Sequence, residues 1–224
     1  MNEYERVWEQ FVSGEKLEHG GHTDPEWRDG HEISVAMLVP VEAAPLLERL
    51  APLREELDAF PFVSVHPDHF LHITVLILGF LSETPRDDKE ISPRKLTGIE
   101  HDARQALADF PPFTVKLENL NAFPAAAIVE VHDGGMLEEL REALRSGCGL
   151  KVPQGPPHLT IAYFEAPDGS SLPQALVRRI ERYRNWCIGE VTVRNIHIAS
   201  LNLTSRYPRL ETLAEIPLNG RTDG

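Results

Sequence analysis

Apolar positions follow a helical period at the start of the chain, then alternate between short apolar runs and further helical stripes. Tyr4, Val7, Trp8 and Phe11 stand at i, i+3, i+4 and i+7, which predicts a short amphipathic helix over residues 2–12. Residues 13–30 lose the period and turn polar and glycine-rich, so they read as a loop or docking arm anchored by Trp8 and Trp27. A first strand is expected over 32–40, ended by Pro40. Leu46, Leu50, Leu53, Leu57 and Phe60 keep helical spacing, with Pro52 expected to kink or split that helix. A strand follows within 62–81, after a turn at His66-Pro67-Asp68, and its apolar run predicts burial on both sides at the distal end.

Ser92-Pro93 marks the next helix start, and Leu96, Ile99, Ala103, Leu107 and Phe110 form its stripe up to Pro111-Pro112. Strands are expected over 113–120 and 126–132, turning at Phe123-Pro124. A helix over 136–146, with Leu137, Leu140 and Leu144 inward, ends at Gly147. Residues 153–157 hold the chain extended before a strand at 158–164. A helix capped by Ser171, with Pro173 just inside, covers about 172–185. Strands over 190–203 and 210–218 close the chain around a turn at 205–208.

From residue 32 the order is strand, helix, strand, helix, strand, strand, helix, strand, helix, strand, strand, so a helix, a motif strand, a helix and two strands recur in each half. The pattern predicts an α+β, two-lobed duplicated fold in which each lobe is an antiparallel sheet flanked by helices. The expected division is 1–30 as N-terminal helix and arm, and 31–224 as the bilobal body.

The two long apolar strands carry one tetrad each: His72-Ile73-Thr74-Val75 and His158-Leu159-Thr160-Ile161, 86 residues apart (158 − 72). Alternation along a strand turns His72 and Thr74 to one face, and His158 and Thr160 likewise, while the apolar partners face the other side. A single strand histidine is usually structural. With ten histidines and a threonine at 10 of 224 positions, however, only about 0.07 such tetrads are expected by chance. Two facing ladders would put two imidazoles and two hydroxyls around one central cleft.

Composition narrows the field. A chain of 224 residues with 42% hydrophobic and 25% charged content is an ordinary globular one. Its formal net charge of −13 disfavours long nucleic acid, which needs a basic surface, and anionic membranes. A small anionic substrate stays open, since local donors decide its binding. Cys148 and Cys187 have neither metal-ligand nor disulfide spacing. The N-terminus MNEYERVWEQ carries acidic residues where a signal peptide would have its basic and apolar regions, so none is expected there, and the most apolar stretch, 73–81, is far below the ~18 residues of a membrane span. The expected compartment is therefore the cytoplasm.

The paired tetrads resemble the 2H phosphoesterase superfamily, which includes bacterial 2′-5′ RNA ligase-like proteins and cyclic nucleotide phosphodiesterases. Supporting stretches are 71–79 (LHITVLILG), Phe113-Thr-Val-Lys-Leu with Phe123-Pro124, 157–162 (PHLTIA), and the C-terminal stretch 201–218 with Ser205, Tyr207 and Pro217-Leu218. The resemblance spans about 31–218 and leaves the first thirty residues outside. It implies a phosphodiesterase needing no metal or other cofactor, acting on 2′,3′-cyclic phosphates or related small or RNA-terminal phosphodiesters.

The chemistry agrees. Opening a cyclic phosphodiester needs a base for water and an acid for the leaving ribose oxygen, and two histidines with separated pKa values supply both. Thr74 and Thr160 are short donors for the phosphate oxygens. His158 is favoured as the base in hydrolysis. The competing readings are 2′-5′ RNA ligation or RNA-end processing on the same fold, and a non-catalytic nucleotide-phosphate-binding module.

Other positions are weaker candidates. Phe80 and Phe164, near the strand ends, read first as core residues, with stacking of a base at the rim as the alternative. Ser205 and Tyr207 sit in a turn that the resemblance brings near the cleft. His66 and His69 are read as edge or turn residues, and His197 as structural. Tyr163, three after Thr160, should face away from the cleft by alternation. Arg178, Arg179, Arg182 and Arg184 read as a solvated helix face, and His19, His22 and His31 lack the spacing of a metal cluster.

Overall fold

The computed structural model describes residues 2–150 and 155–220. In chain order the helices are α1 (Glu3–Ser13), α2 (Pro25–Arg28), α3 (Ala44–Asp58), α4 (Pro93–Ala106), α5 (Met136–Cys148) and α6 (Gln174–Glu181). The strands are β1 (Lys16–Leu17), β2 (Ile33–Pro40), β3 (Val63–Val65), β4 (His72–Leu81), β5 (Glu90–Ile91), β6 (Phe113–Phe123), β7 (Ala126–His132), β8 (His158–Phe164), β9 (Ser170–Ser171), β10 (Cys187–Val193), β11 (Asn195–Asn202) and β12 (Glu211–Pro217). A 3₁₀ turn, Asp68–Phe70, leads into β4.

Two antiparallel half-sheets, β4-β2-β11-β12 and β8-β7-β6-β10, meet in the middle. They are joined where β4 pairs with β8 through Ile73 and Leu159, the apolar residues inside the two tetrads. The elements repeat across the join: β2-α3-β4-β5-α4 in one half and β7-α5-β8-β9-α6 in the other, except that the first half adds β3 between α3 and β4, which pairs with β8. Helices flank the sheets, and inward side chains such as Leu50, Leu53, Ile73, Leu140, Leu159 and Leu176 are fully buried. The α+β duplicated architecture is thus the one expected, with the motif strands as central neighbours.

Several local expectations are corrected. Pro52 does not split α3; it lies on the exposed side, where water can satisfy the carbonyl it leaves free. Gly147 does not end α5, which runs on to a left-handed cap at Gly149 (φ 66°). Gly147 instead permits close helix packing, since a Cβ there would stand 2.6 Å from the Ala106 Cβ. The N-cap of α6 is Pro173, and Ser171 lies in β9. Residues 190–203 are two strands: β10 edges one half-sheet and β11 lies in the other, with Arg194 as the crossover. Of the extended approach to His158, residues 153 and 154 lie outside the described residues.

The strongest departure concerns face alternation. On β4, Met37 pairs with Leu76 and Leu38 with Thr74, so Val75 is an extra residue. On β8, Ala127 pairs with Ala162 and Ile128 with Thr160, so Ile161 is extra. Each motif strand therefore carries a β-bulge at the residue after its threonine. A bulge shifts the alternation by one. Ile77 and Tyr163, each three residues beyond a motif threonine, are turned to the threonine face. The distal part of β4 is accordingly not buried on both sides: Ile77 is 58% exposed.

Candidate active site

The Ile73–Leu159 pair sets the geometry. In that antiparallel register His72 lies across from Thr160, and Thr74 across from His158, so the histidines occupy a diagonal, for which cross-strand spacing is roughly 7–8 Å. All four side chains are half-buried. Each histidine is fixed in the same way: Nδ1 of His72 donates to the Phe70 carbonyl at 2.7 Å, and Nδ1 of His158 to the Pro156 carbonyl at 3.0 Å. A carbonyl only accepts, so Nδ1 carries the hydrogen and Nε2 of the neutral ring keeps its lone pair.

Burial holds both imidazoles below the ordinary histidine pKa. The bonded carbonyls pull the other way, while neighbouring positive charge adds to the lowering: His158 and His22 for His72, Arg141 for His158. Arg141 is a residue the sequence reading did not single out. It lies on α5, 3% exposed, and its Nε and Nη2 donate to the carbonyls of Val75 (3.1 Å) and Thr74 (3.4 Å). These belong to the bulge on β4, and a bulge leaves ladder groups unpaired. The corresponding bulge on β8 is satisfied differently, its Ile161 carbonyl accepting from the His66 backbone N–H at 2.9 Å. A usable signal existed: Arg141 is the charged residue within the inward stripe of Leu137, Leu140 and Leu144.

The first thirty residues also reach the site. The Tyr4 hydroxyl lies 2.6 Å from the Pro157 carbonyl and 2.7 Å from that of Val131, bracing the segment whose Pro156 carbonyl holds His158. His22, buried, donates through Nε2 to the Ser205 carbonyl at 2.8 Å and packs on Phe70 at 5.0 Å. Beside His72 and Thr74 a cavity of about 250 Å³ opens over β2 and β11, and Tyr163, Ile77, His22 and Trp27 border it. His158 and Thr160, on the neighbouring strand β8, do not border this cavity. Tyr163, expected to face away, is brought in by the β8 bulge.

Other candidates are placed elsewhere. Phe164 is fully buried against Phe11, 6.2 Å between ring centroids, and cannot stack a base at the rim. Phe80 is buried too, its face covered by the His31 ring at 4.2 Å and 9° and its edge against Trp27. Ser205 meets His22 through its carbonyl. The Tyr207 hydroxyl bonds Ser64, and its ring packs on Phe70 and His66, so both residues wall the histidine cluster from behind. Arg184 and Arg179 are not simply solvated: Arg184 pairs with buried Glu130 at 2.6 Å, and Arg179 with Glu56. Among the described residues no cluster of histidine, cysteine and carboxylate side chains could hold a metal, and no helix is long and apolar enough to cross a membrane.

His66 lies in the expected turn, between β3 and the 3₁₀ turn, but is buried there. It is 2% exposed, enclosed by Phe70, Tyr163 and Tyr207, and burial takes its pKa from 6.5 to about 3. Unfolding exposes an imidazole that binds a proton below pH 6.5, whereas the folded ring stays neutral until about pH 3, so acid favours the unfolded chain. This site alone is expected to cost about 2 kcal/mol of stability between pH 7 and pH 5. Denaturant unfolding of the protein and of His66→Phe at both pH values checks it; an equal loss in the variant would refute the assignment.

No curated protein sequence matches the chain. Among solved structures, a Thermus thermophilus protein, TT0787, superposes with a TM-score of 0.61 at 19% identity, over 84% of this chain and 100% of that one. Escherichia coli LigT superposes with a TM-score of 0.56 at 17% identity, over 84% of this chain and 98% of LigT, both in its complex with NADP⁺ and in that with 3′-AMP. At these identities the likeness establishes the fold. The sequence model of the 2′-5′ RNA ligase superfamily matches residues 39–203, well over half of the chain and including both His-x-Thr tetrads. The chain belongs to the 2′-5′ RNA ligase superfamily of 2H phosphoesterases.

Proposed function

We propose that the protein is a metal-independent phosphodiesterase that hydrolyses 2′,3′-cyclic phosphates, or related small or RNA-terminal phosphodiesters, with His72 and His158 as its acid–base pair. The observation carrying this reading is the strand junction, where the Ile73–Leu159 pair sets two carbonyl-anchored imidazoles on one face, each Nε2 without a hydrogen-bond partner among the described residues. Members of the superfamily act on phosphodiesters, and the LigT structures include a 3′-AMP complex.

Water attacks phosphorus while Nε2 of one histidine takes its proton; the bond from phosphorus to one ribose oxygen breaks, and the other histidine protonates that oxygen. One water is consumed and one phosphomonoester is formed. The Thr74 and Thr160 hydroxyls donate to the non-bridging oxygens as charge gathers there. Arg141 favours His158 as the base, because a fixed cation beside a ring keeps that ring neutral. The charges acting on His72 are those of titratable histidines, and the bound phosphate anion favours its protonated form. Among the described residues, the cavity beside His72 offers no carboxylate to a metal ion.

The family's name keeps 2′-5′ bond formation as the second reading, the same proton transfers run in reverse. The net charge of −13 favours small substrates over long RNA. Protein treated with chelator is expected to convert a 2′,3′-cyclic nucleotide into one phosphomonoester, followed by phosphorus NMR. Absence of product from 2′,3′-cyclic nucleotides, ADP-ribose cyclic phosphate and 2′-5′-linked dinucleotides alike would reject the activity.

A further inference from the structure

The duplicated halves can be compared at the residue before each histidine, and there they differ. In the first half Pro40 of β2 pairs with His72, and the next amide, that of Val41, donates directly to the Leu71 carbonyl at 3.0 Å. In the second half Glu130 of β7 pairs with His158, so the Val131 amide is the counterpart of Val41 and the Pro157 carbonyl that of Leu71. No direct bond joins them. The Tyr4 hydroxyl stands between: it accepts from the Val131 amide at 3.1 Å and donates to the Pro157 carbonyl at 2.6 Å, with the Val131 carbonyl 2.7 Å away. Tyr4 belongs to α1, which precedes the matched residues 39–203.

We propose that Tyr4 is a positioning residue for His158, its hydroxyl inserted beside the β7–β8 ladder to fix the carbonyl that holds the ring. The segment before His158 needs such a clamp. Pro156 and Pro157 have no N–H, so neither can tie itself to a neighbour as a donor. Among the described residues the Tyr4 hydroxyl is the one donor to the Pro157 carbonyl. A cavity of about 440 Å³ lies against Gly155, Pro156 and Pro157, so packing leaves one side of the segment unsupported. The counterpart before His72 supports itself, since the Phe70 and Leu71 amides close the 3₁₀ turn onto the Pro67 and Asp68 carbonyls. Tyr4 is itself held firmly: its ring packs on His132 at 5.0 Å, and its own carbonyl accepts from Asn121 Nδ2 at 2.9 Å. The Pro157 ring locks its φ, which leaves only its ψ between the clamped carbonyl and the Pro156 carbonyl that receives the His158 Nδ1 hydrogen.

Tyr4→Phe tests this, because it removes the oxygen and keeps the ring on His132. The bond to the Pro156 carbonyl keeps the hydrogen on Nδ1 and raises the His158 pKa. In the variant the form with its hydrogen on Nε2 should therefore gain population and the pKa should fall, both read from the imidazole nitrogen NMR shifts against pH. The charged groups facing the ring are unaltered: Arg141 of α5, His72 of β4, and Glu130 of β7 with its partner Arg184. His72, whose Leu71 carbonyl keeps its own amide donor, should titrate as in the native protein. Trp8→Ala, which removes the contact of α1 with Arg184 at 5.1 Å and spares the hydroxyl, should leave the His158 shifts in place. The rate arm rests on His158 being the base of the phosphodiesterase: for a 2′,3′-cyclic nucleotide kcat should fall about tenfold or more with KM little changed, and the acid limb of kcat/KM should move to lower pH. Native His158 shifts or native kcat in Tyr4→Phe would overturn the proposal. So would equal changes at both rings, or the same change in Trp8→Ala, since either marks a general loosening of structure. Absence of turnover by the native protein would instead remove the phosphodiesterase reading, and the ring shifts alone would then decide the role of Tyr4.

Discussion

Replacing His72 or His158 by alanine is expected to lower kcat/KM for a 2′,3′-cyclic nucleotide by about 10²–10⁴-fold, the range a single positioned proton-transfer group contributes. The two losses should not add. Once one proton transfer is missing the other has little to act with, so the double variant should sit close to the weaker single one. Folding should be little affected, since both rings are half-buried and make one backbone bond each. The rate profile carries a second signature. Hydrolysis needs one ring neutral and one protonated, yet both free-enzyme pKa values lie below 6.5. The kcat/KM optimum is therefore expected on the acid side of pH 6.5, declining above it as the acid loses its proton. Full turnover by either alanine variant, or an optimum well above neutrality, would sink the two-histidine scheme.

Arg141→Met carries the second large effect, on stability and on the pH profile together. The methionine fills much of the same space but donates nothing, which leaves the Thr74 and Val75 carbonyls of the β4 bulge without the guanidinium. An unsatisfied buried acceptor costs about 1–3 kcal/mol, so a loss of about 3 kcal/mol is expected, or a fall in Tm of roughly 6–12 °C for a chain of this length. Glu138 would offset little of this, since it is 70% exposed and 3.6 Å away. Removing the cation also lets the His158 pKa rise. With His158 as base, the acid limb of kcat/KM against pH moves to higher pH. A variant as stable as the native protein would show that the bulge does not depend on Arg141. A moved alkaline limb with a fixed acid limb would exchange the roles of the two histidines.

What could be read from the chain alone were features whose cause is local. Helical stripes such as Ile99, Ala103 and Leu107, or Leu137, Leu140 and Leu144, placed α4 and α5 because a 3.6-residue period needs no partner to be visible. The tetrads placed themselves likewise, since alternation over three residues sets each histidine beside its threonine. Alternation failed one step later. The extra residues Val75 and Ile161 exist only as mismatches in pairing with β2 and β7, so Tyr163 was expected to face away and Ile77 to be buried. The burial of Phe164 and Phe80 agrees with core packing as the favoured reading, but the neighbours that cover them, Phe11 and His31, come from earlier segments that no local pattern pairs with them.

The histidine–threonine chemistry, the α+β class and the repeated order of elements were thus carried by the sequence itself, because each is a matter of residue type and short-range period. Folding added the company those groups keep: the Ile73–Leu159 junction, the Arg141 guanidinium under the bulge, and the arm with His22 and Trp27 over the cavity. These depend on strand register and on contacts between segments more than a hundred residues apart, such as Tyr4 with Pro157. A one-residue shift in pairing changes which side chains share a face without changing a single letter of the local pattern.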